Sequence, residues 1–374
     1  MRCPEVFARN QLREFYRGVR AQAMGNAFTA IADDADAVFY NPAGIAYNSG
    51  IQLRLVNPKL EISDDNRKVF NDMTDLAKNG FDADALKALF GRNLYFNGTL
   101  YPSLLLPHLT LGYYTSVNGH LVLNNLSLPQ LDVDYYYDQG FVGGIGFESK
   151  GFGRNQFFRY GLTLKVITRR GVSGNIPIST LALNDGSYLK ALVSDSATGY
   201  GLDLGFQYDI PVTSDLTFTW GTAWHDIGDT RFGSRLSSRI PQSMESNVAM
   251  GGAFVYNFST RNNYDFKVSF EGRHLEHTGE DPRKKVHFGT ELALGQLAIQ
   301  AGLSQLNWTA GATIDFWLLQ LAVASYAVEN MPFWGMSTER RYTAQLTFKL
   351  DASSGKAREK EVDMQRRKRP RLYR

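Results

Sequence analysis

The feature that most constrains this chain is a two-residue alternation of apolar and polar side chains that begins near residue 93 and persists almost to the C-terminus. Tyr264-Asp265-Phe266-Lys267-Val268-Ser269-Phe270-Glu271-Gly272-Arg273 shows it most clearly, with apolar residues or glycine at even positions and Asp, Lys, Ser, Glu and Arg at odd ones. The pattern returns in 342–350, 202–210, 158–166, 216–220 and 286–292. Successive side chains of a strand point to opposite faces, so these segments read as sheet with one apolar and one polar face. An amphipathic helix would repeat near every 3.6 residues instead.

Alternation does not by itself separate a soluble sandwich from an outer-membrane barrel, whose apolar face points to lipid and whose polar face lines the lumen. Strand length and loop rhythm do. About fourteen strands are expected, at 51–62, 93–105, 108–124, 131–148, 155–172, 197–210, 215–227, 246–258, 262–275, 285–294, 296–304, 307–315, 318–329 and 339–350. Most run to about 10 residues or more, against a mode of ~5–6 in soluble domains, and ~9–11 tilted residues cross a bilayer. Short connections fall at 106–107, 149–154, 211–214, 259–261, 295 and 315–317; long ones lie at 63–92, 173–196, 228–245, 276–284 and 330–338. Short turns on one rim and long loops on the other are the outer-membrane rhythm, and both termini fall on the short-turn, periplasmic rim. The expectation is an all-β protein, an antiparallel transmembrane β-barrel of about 14 strands over 49–350, in the bacterial outer membrane. A mean hydropathy of −0.28, with no run of ~18 apolar residues, excludes only a helical membrane protein.

The exception to strand is 63–92. Asp64 or Asp65 can cap a helix carrying Val69, Phe70, Met73, Leu76 and Ala77 on one face, and Asp82 a second with Leu86, Leu89 and Phe90. A helical pair in the first outer loop suits a lid, a hydrophobic landing surface or simple packing on the rim.

Residues 18–48 (GVRAQAMGNAFTAIADDADAVFYNPAGIAYN) join Ala-Met-Gly-Asn-Ala-Phe-Thr-Ala to Asn-Pro-Ala-Gly at a fixed distance from the first strand. Small residues at 21, 23, 25, 27, 30, 32, 35 and 37 permit tight packing inside a barrel, Asn41-Pro42 favours a turn, and Gly44 gives freedom just before the first strand. Asp33, Asp34 and Asp36 stand among alanines, as a wet lumen tolerates and a dry core does not. The segment resembles the N-terminal plug of the long-chain fatty-acid transporter superfamily (FadL type), and more closely its PorV-like and TraF-like members. The resemblance implies a hatch over 1–48 that closes the lumen, with Gly25, Asn26, Phe28, Asp33, Asp34, Asn41, Pro42, Ala43 and Gly44 in it. It also implies passage of a hydrophobic, fatty-acid- or lipid-like molecule, with lateral exit through the wall. The alternative it suggests is a PorV-like docking or substrate-carrier role for an envelope secretion or assembly machine.

By alternation, Arg159, Lys165, Arg169, Asp203, Asp209, Asp265, Lys267, Glu271, Arg273, His287 and Glu291 face the lumen. The signs are mixed, unlike the single-sign rings of a simple ion pore, and no continuous apolar stripe lines the inside. Tyr114, Ile167 and Tyr326, with Phe28, Ile31, Val38 and Phe39 of the plug, are the apolar inward positions. Pro102 cannot donate to a ladder, and Asn118-Gly119 interrupts the third strand, so these three residues are the expected wall opening, unless Asn118-Gly119 is an ordinary hairpin.

No His-Glu-x-x-His, phosphate loop or Gly-x-Ser-x-Gly occurs, so the sequence points to no catalytic residue, metal or cofactor. His225-Asp226 near Asp229 lacks a ligand spacing, and Gly143-Gly144-Ile145-Gly146 reads as strand. One cysteine in 374 residues excludes a disulfide framework. Met1 to Tyr16 lacks the apolar core of an export signal, which suits a leader removed ahead of the numbering or a misplaced start. Residues 351–374 hold nine Lys/Arg against four Asp/Glu, a net of +5 where the whole chain has +3, so the rest carries −2. This tail reads as disordered. The expected partners are membrane lipid and lipopolysaccharide, a hydrophobic small molecule, and an envelope protein reached through the tail or outer loops; nucleic acid is not expected.

Overall fold

A computed structural model of the chain describes residues 11–69, 90–125, 127–153, 155–177, 196–233, 242–259 and 264–351. Among these, sixteen strand segments form one antiparallel sheet that closes on itself. In chain order they are β1 (Gln52–Val56), β2 (Lys59–Ser63), β3 (Asn93–Leu100), β4 (Ser103–Leu106), β5 (Leu109–Asn124), β6 (Gln130–Lys150), β7 (Phe157–Pro177), β8 (Ala197–Pro211), β9 (Leu216–His225), β10 (Asn247–Ser259), β11 (Tyr264–Gly272), β12 (Val286–Leu294), β13 (Leu297–Ser304), β14 (Asn307–Phe316), β15 (Leu319–Glu329) and β16 (Thr338–Asp351). They make fourteen staves, because β1 continues into β2 across Asn57-Pro58 and β3 into β4 across Tyr101-Pro102. The last stave, β16, pairs with β1 and β2 of the first. Closure leaves no strand edge exposed to hydrocarbon.

The expected stave positions hold to within a few residues, with one informative exception. β7 runs to Pro177, five residues beyond its expected end, because Ser173 to Pro177 still pair with Gln130 to Asp134 of β6. Gly174 and Pro177 look like punctuation in sequence, but β6 and β7 stand taller than their neighbours and carry a hairpin ladder past the membrane. Helical turns at 64–69 open the first outer loop; Ser63, not Asp64 or Asp65, caps them, its Oγ accepting the Asn66 N–H at 3.3 Å, while the two acids lie in the first turn. The remainder of the expected helical pair (70–89), the first ten residues and the basic tail (352–374) lie outside the described residues. No helix among the described residues is long and apolar enough to cross a membrane.

The sheet is inside out relative to a soluble fold. Phe266 and Phe270 of β11 are exposed, whereas the alternate residues Lys267, Ser269 and Glu271 are buried. Leu164, Phe206, Phe254, Phe288, Ile299 and Leu321 continue the apolar outer band. Tyr256, Phe258, Tyr264, Phe316 and Trp317 collect at the short-turn rim, with Trp224 and Trp308 toward the other, as interfacial aromatic girdles do. Val268 sits at the middle of the nine-residue stave β11. Val268→Arg should therefore destabilise the lipid-embedded barrel by about 2–4 kcal/mol, and Tyr264→Arg at the rim by about 0–1 kcal/mol; denaturant unfolding in vesicles measures both.

Candidate functional site

Residues 11–48 run inside the barrel rather than along it. Three short elements organise them: α1 (Val19–Ala23), α2 (Ala37–Tyr40) and a 3-10 turn (Pro42–Tyr47). The chain reverses after α1 through Gly25 and Asn26, both left-handed at φ 62°. The Gly25 N–H donates to Thr309 Oγ1 at 2.9 Å, and its carbonyl lies 2.8 Å from His287 Nδ1. Asn41 locks the other end. Its Nδ2 donates to the carbonyls of Thr29 (2.8 Å) and Phe206 (3.0 Å), while its Oδ1 accepts from Ala43 N at 3.1 Å and caps the 3-10 turn. Pro42 begins that turn, where no N–H is needed.

The wall is shaped to receive this segment. A Cβ on Gly161 would fall on the Pro42 carbonyl, on Gly205 on the Asn41 amide, on Gly221 on Ala30, and on Gly289 on the Met24 carbonyl. The small residues read in 18–48 are thus half of a fit whose other half is inward-facing glycine on β7, β8, β9 and β12.

Charge completes the seating. Arg20 of α1 makes a bidentate pair with Glu291 (2.7 Å on both arms) and reaches Asp33 (2.5 Å) and Asp34 (2.9 Å) with Nη1. Lys267 bridges Asp33 (3.2 Å) and Glu291 (3.0 Å). Thr29 donates its N–H and hydroxyl to Glu271, each at 2.7 Å, and Arg273 ties Glu271 to Glu14, both at 3.0 Å. Asp265 lies 3.8 Å from Lys267. The rest of the expected inward set pairs across the wall: Lys165 with Asp203 and Asp226 (2.8 and 2.7 Å), Arg169 with Asp138 (2.7 Å), and Arg159 with Asp209 and Glu148 (2.7 Å each). The acids of the inner segment are therefore ion-paired, Asp36 buried and Asp33 and Asp34 partly open to solvent. Burial raises Asp33, but Arg20 and Lys267 outweigh it and hold its carboxyl at about 2. Burial, with Asp34 nearby, pushes Asp36 up to about 6 in spite of Arg54 at 3.4 Å.

Two cavities lie against residues 11–17. One of about 410 Å³ is lined by the apolar and aromatic Leu12, Phe15, Tyr16, Phe39, Tyr136 and Met244 and by charges of both signs, Lys165, Arg169 and Arg273 with Glu14, Asp203 and Asp226. The other, about 40 Å³, shares Phe15 and Tyr16 and touches Lys59, Thr99 and Tyr114. Between them the aromatic rings form a continuous cluster: Tyr16 on Phe39 (4.3 Å between centroids), Phe39 on Tyr101 (4.8 Å) and Phe15 on Tyr114 (4.5 Å).

Tyr101 brings that cluster to a break in the wall. β1 pairs with β4 up to Arg54↔Ser103, and β2 pairs with β3 from Lys59↔Thr99. Leu55 to Pro58 and Leu100 to Pro102 form no ladder with each other. The Asn57 side chain spans the interval, its Oδ1 accepting the Tyr101 N–H at 2.7 Å. On the far sides the ladders continue: Pro58 O accepts from Leu346 N, and Pro102 O from Tyr113 N, both at 3.1 Å.

The break is displaced by one interface from the expected one. Asn118 and Gly119 pair with Asn97 and Phe96 in an uninterrupted β3–β5 ladder. Asn118 Oδ1 accepts from the Tyr95 hydroxyl at 3.1 Å, and the missing Cβ of Gly119 makes room for the Phe96 ring. Neither residue opens the wall. Of the three expected there, Pro102 alone flanks the interruption, together with Asn57 and Pro58, whose in-strand proline is an equally legible signal. Arg54, Phe15 and Tyr16 also belong to the site without having stood out in sequence; the last two sit in a stretch with no pattern of its own.

No protein-family model and no curated protein matches the chain. Solved structures share its fold. A monoaromatic hydrocarbon channel, the TodX deltaS2S3 mutant, superposes with a TM-score of 0.51 at 11% identity, over 90% of this chain and 99% of that one. The TodX deltaS2 mutant gives 0.50 at 11% identity over 90% and 99%, and the Pseudomonas putida toluene transporter TodX 0.48 at 12% over 91% and 99%. Identities this low speak to the fold: a fourteen-stranded outer-membrane barrel, as the FadL-type resemblance implied. With its apolar girdle, that fold places the chain in the bacterial outer membrane.

Removing the Arg20 guanidinium leaves the buried Glu291 and the partly exposed Asp33 beside one cation, Lys267, instead of two. Arg20→Gln should weaken seating of the inner segment by about 3–5 kcal/mol, seen as added ion conductance in planar bilayers. The pH response has opposite signs at two acids. Asp36, raised to about 6 from an ordinary 3.8, takes up its proton more readily in the seated segment, so seating strengthens as pH falls through 6 toward 4. Asp33, lowered to about 2, contributes fully above pH 4 and loses its contribution only below that. Conductance should accordingly be lower at pH 5 than at pH 7.5, and Asp36→Asn should flatten the difference.

Proposed function

We propose that this chain conducts hydrophobic small molecules across the outer membrane, with residues 11–48 as the hatch and the interval between β1–β2 and β3–β4 as a lateral exit. The observation that carries this reading is the aromatic cluster joining the inner cavity to the one interval of the wall, among the described residues, that a side chain rather than a backbone ladder closes. Cargo entering from outside meets the 410 Å³ cavity, a size that suits a small-molecule ligand. The hatch seals the periplasmic route by close contact with the wall glycines. The break lies midway along both staves, with Leu55 and Val56 exposed on its lipid side, so a greasy molecule leaves at membrane depth without crossing water. The shared fold with monoaromatic hydrocarbon channels supports the cargo class without naming the cargo.

The docking alternative drew on the 63–92 loop and the basic tail. Both lie largely outside the described residues, and no observation favours it.

A chain with Cys3→Ser, Asn57→Cys and Tyr101→Cys, joined by a short bis-maleimide, tests the exit. Cross-linking should abolish whole-cell uptake of a radiolabelled hydrophobe that the uncross-linked protein takes up, with heat-modifiable gel mobility unchanged. Undiminished uptake after complete cross-linking refutes the lateral route.

A further inference from the structure

The edges of the wall break carry hydrogen-bond donors that no group among the described residues accepts. Arg54, Asn57 and Ser103 are each more than nine-tenths buried, yet Arg54 Nε, Asn57 Nδ2 and Ser103 Oγ have no partner among the described residues. They belong together: Arg54 and Ser103 are opposed at the last paired position below the interruption, and Asn57 is the residue that spans it. The orientation of Asn57 is fixed, because its Oδ1 must accept the Tyr101 N–H, which leaves the amide NH2 as the free end. Buried donors are ordinarily satisfied, and an exception calls for a cause. Other buried polar atoms of the wall also lack a partner, among them Gln207 Oε1, Gln300 Oε1 and Thr343 Oγ1, but at this interval three donors fall where the ladder is missing, and that marks a place for an acceptor.

The charge state narrows that acceptor. Arg54 Nη1 already faces Asp36 Oδ1 at 3.4 Å, and Lys59 nearby donates to the Arg17 carbonyl at 2.6 Å and lies 3.8 Å from Glu61. The cations beside the break therefore have anionic partners, and an incoming carboxylate would compete with Asp36 for Arg54. A neutral oxygen would not. The surroundings are apolar otherwise: Tyr101, Leu105 and Tyr114 are buried on the same side, and Gly112 leaves space against which the Tyr101 ring packs.

We infer that the break is a selectivity site for apolar molecules bearing one neutral hydrogen-bond-accepting oxygen, such as alcohols, ketones or phenols, held at the oxygen by Arg54, Asn57 and Ser103 as they pass into the bilayer. A bare hydrocarbon leaves the three donors unpaired. This inference rests on the lateral-exit reading and adds the class of cargo.

The test is whole-cell uptake of 1-decanol, decane and decanoate at pH 7.5 by the full chain and two variants. Asn57→Asp keeps the acceptor for Tyr101 N–H and removes the free donor; Ser103→Ala removes the hydroxyl alone. The wild type should take up decanol about tenfold faster than decane, the ratio one additional satisfied hydrogen bond supplies, and faster than decanoate. In each variant the ratio of decanol to decane uptake should fall toward one. Equal decanol and decane uptake by the wild type, or a ratio that survives both substitutions, overturns the acceptor site while leaving the channel reading intact. Decanoate outpacing decanol overturns the neutral-oxygen assignment. Uptake of none of the three refutes the channel reading and the inference with it. Should a variant fail to fold, native mass spectrometry of the purified wild type decides instead: decanol retained in preference to decane supports the acceptor site, and equal retention overturns it.

Discussion

The constraint on which this structure depends is that hydrocarbon offers backbone amides no partner. Thirteen of the fourteen stave interfaces meet it with inter-strand ladders through the membrane. The remaining one, between the first two staves, meets it with Asn57 reaching Tyr101. A single side-chain amide is a weaker and more reversible closure than a ladder. It lies against the aromatic cluster and away from the short-turn rim.

The lumen answers a second constraint, the cost of enclosing charge. Lys165 and Arg169 are matched within the wall, and Arg159 is matched there by Asp209 and Glu148 while also donating to Tyr47. Lys267 pairs with Glu291 and Arg273 with Glu271 on the wall itself, and each of the four also has a partner in residues 14–33: Asp33, Arg20, Glu14 and Thr29. Seating of the inner segment therefore adds contacts to charges that are already partly matched on β11 and β12. An inner segment held by several ion pairs and a glycine-fitted contact is a firm closure, and opening it requires either a ligand that supplies replacement contacts or a route that leaves it in place.

Much of the architecture was legible because alternation has one period and one meaning. Val268 and Phe270 point to lipid for the same reason that Lys267 and Ser269 do not, and stave length follows from bilayer thickness. The site was legible only in part. Asn41-Pro42-Ala43-Gly44 announces a capped turn, and the structure holds one. Asn118-Gly119 announces a turn equally well, but strand neighbours Tyr95 and Phe96 absorb both residues into the ladder. Pro102 was read as an interruption and is one; the partner that makes it a gap, Asn57-Pro58, lies forty-four residues away in sequence, and register between staves is not written in either stretch alone. Contacts such as Arg54 with Asp36 join segments whose proximity only closure creates.

The first stave has an unusual duty. It meets the last stave along the seam where β16 rejoins the start of the sheet, and on its other flank it borders the break. One twelve-residue stave, Gln52 to Ser63, therefore carries both the closing seam and the least laddered interface of the wall. The inner segment enters the chain immediately before it, so the residues that fill the lumen are tethered at the same line along which the wall is closed.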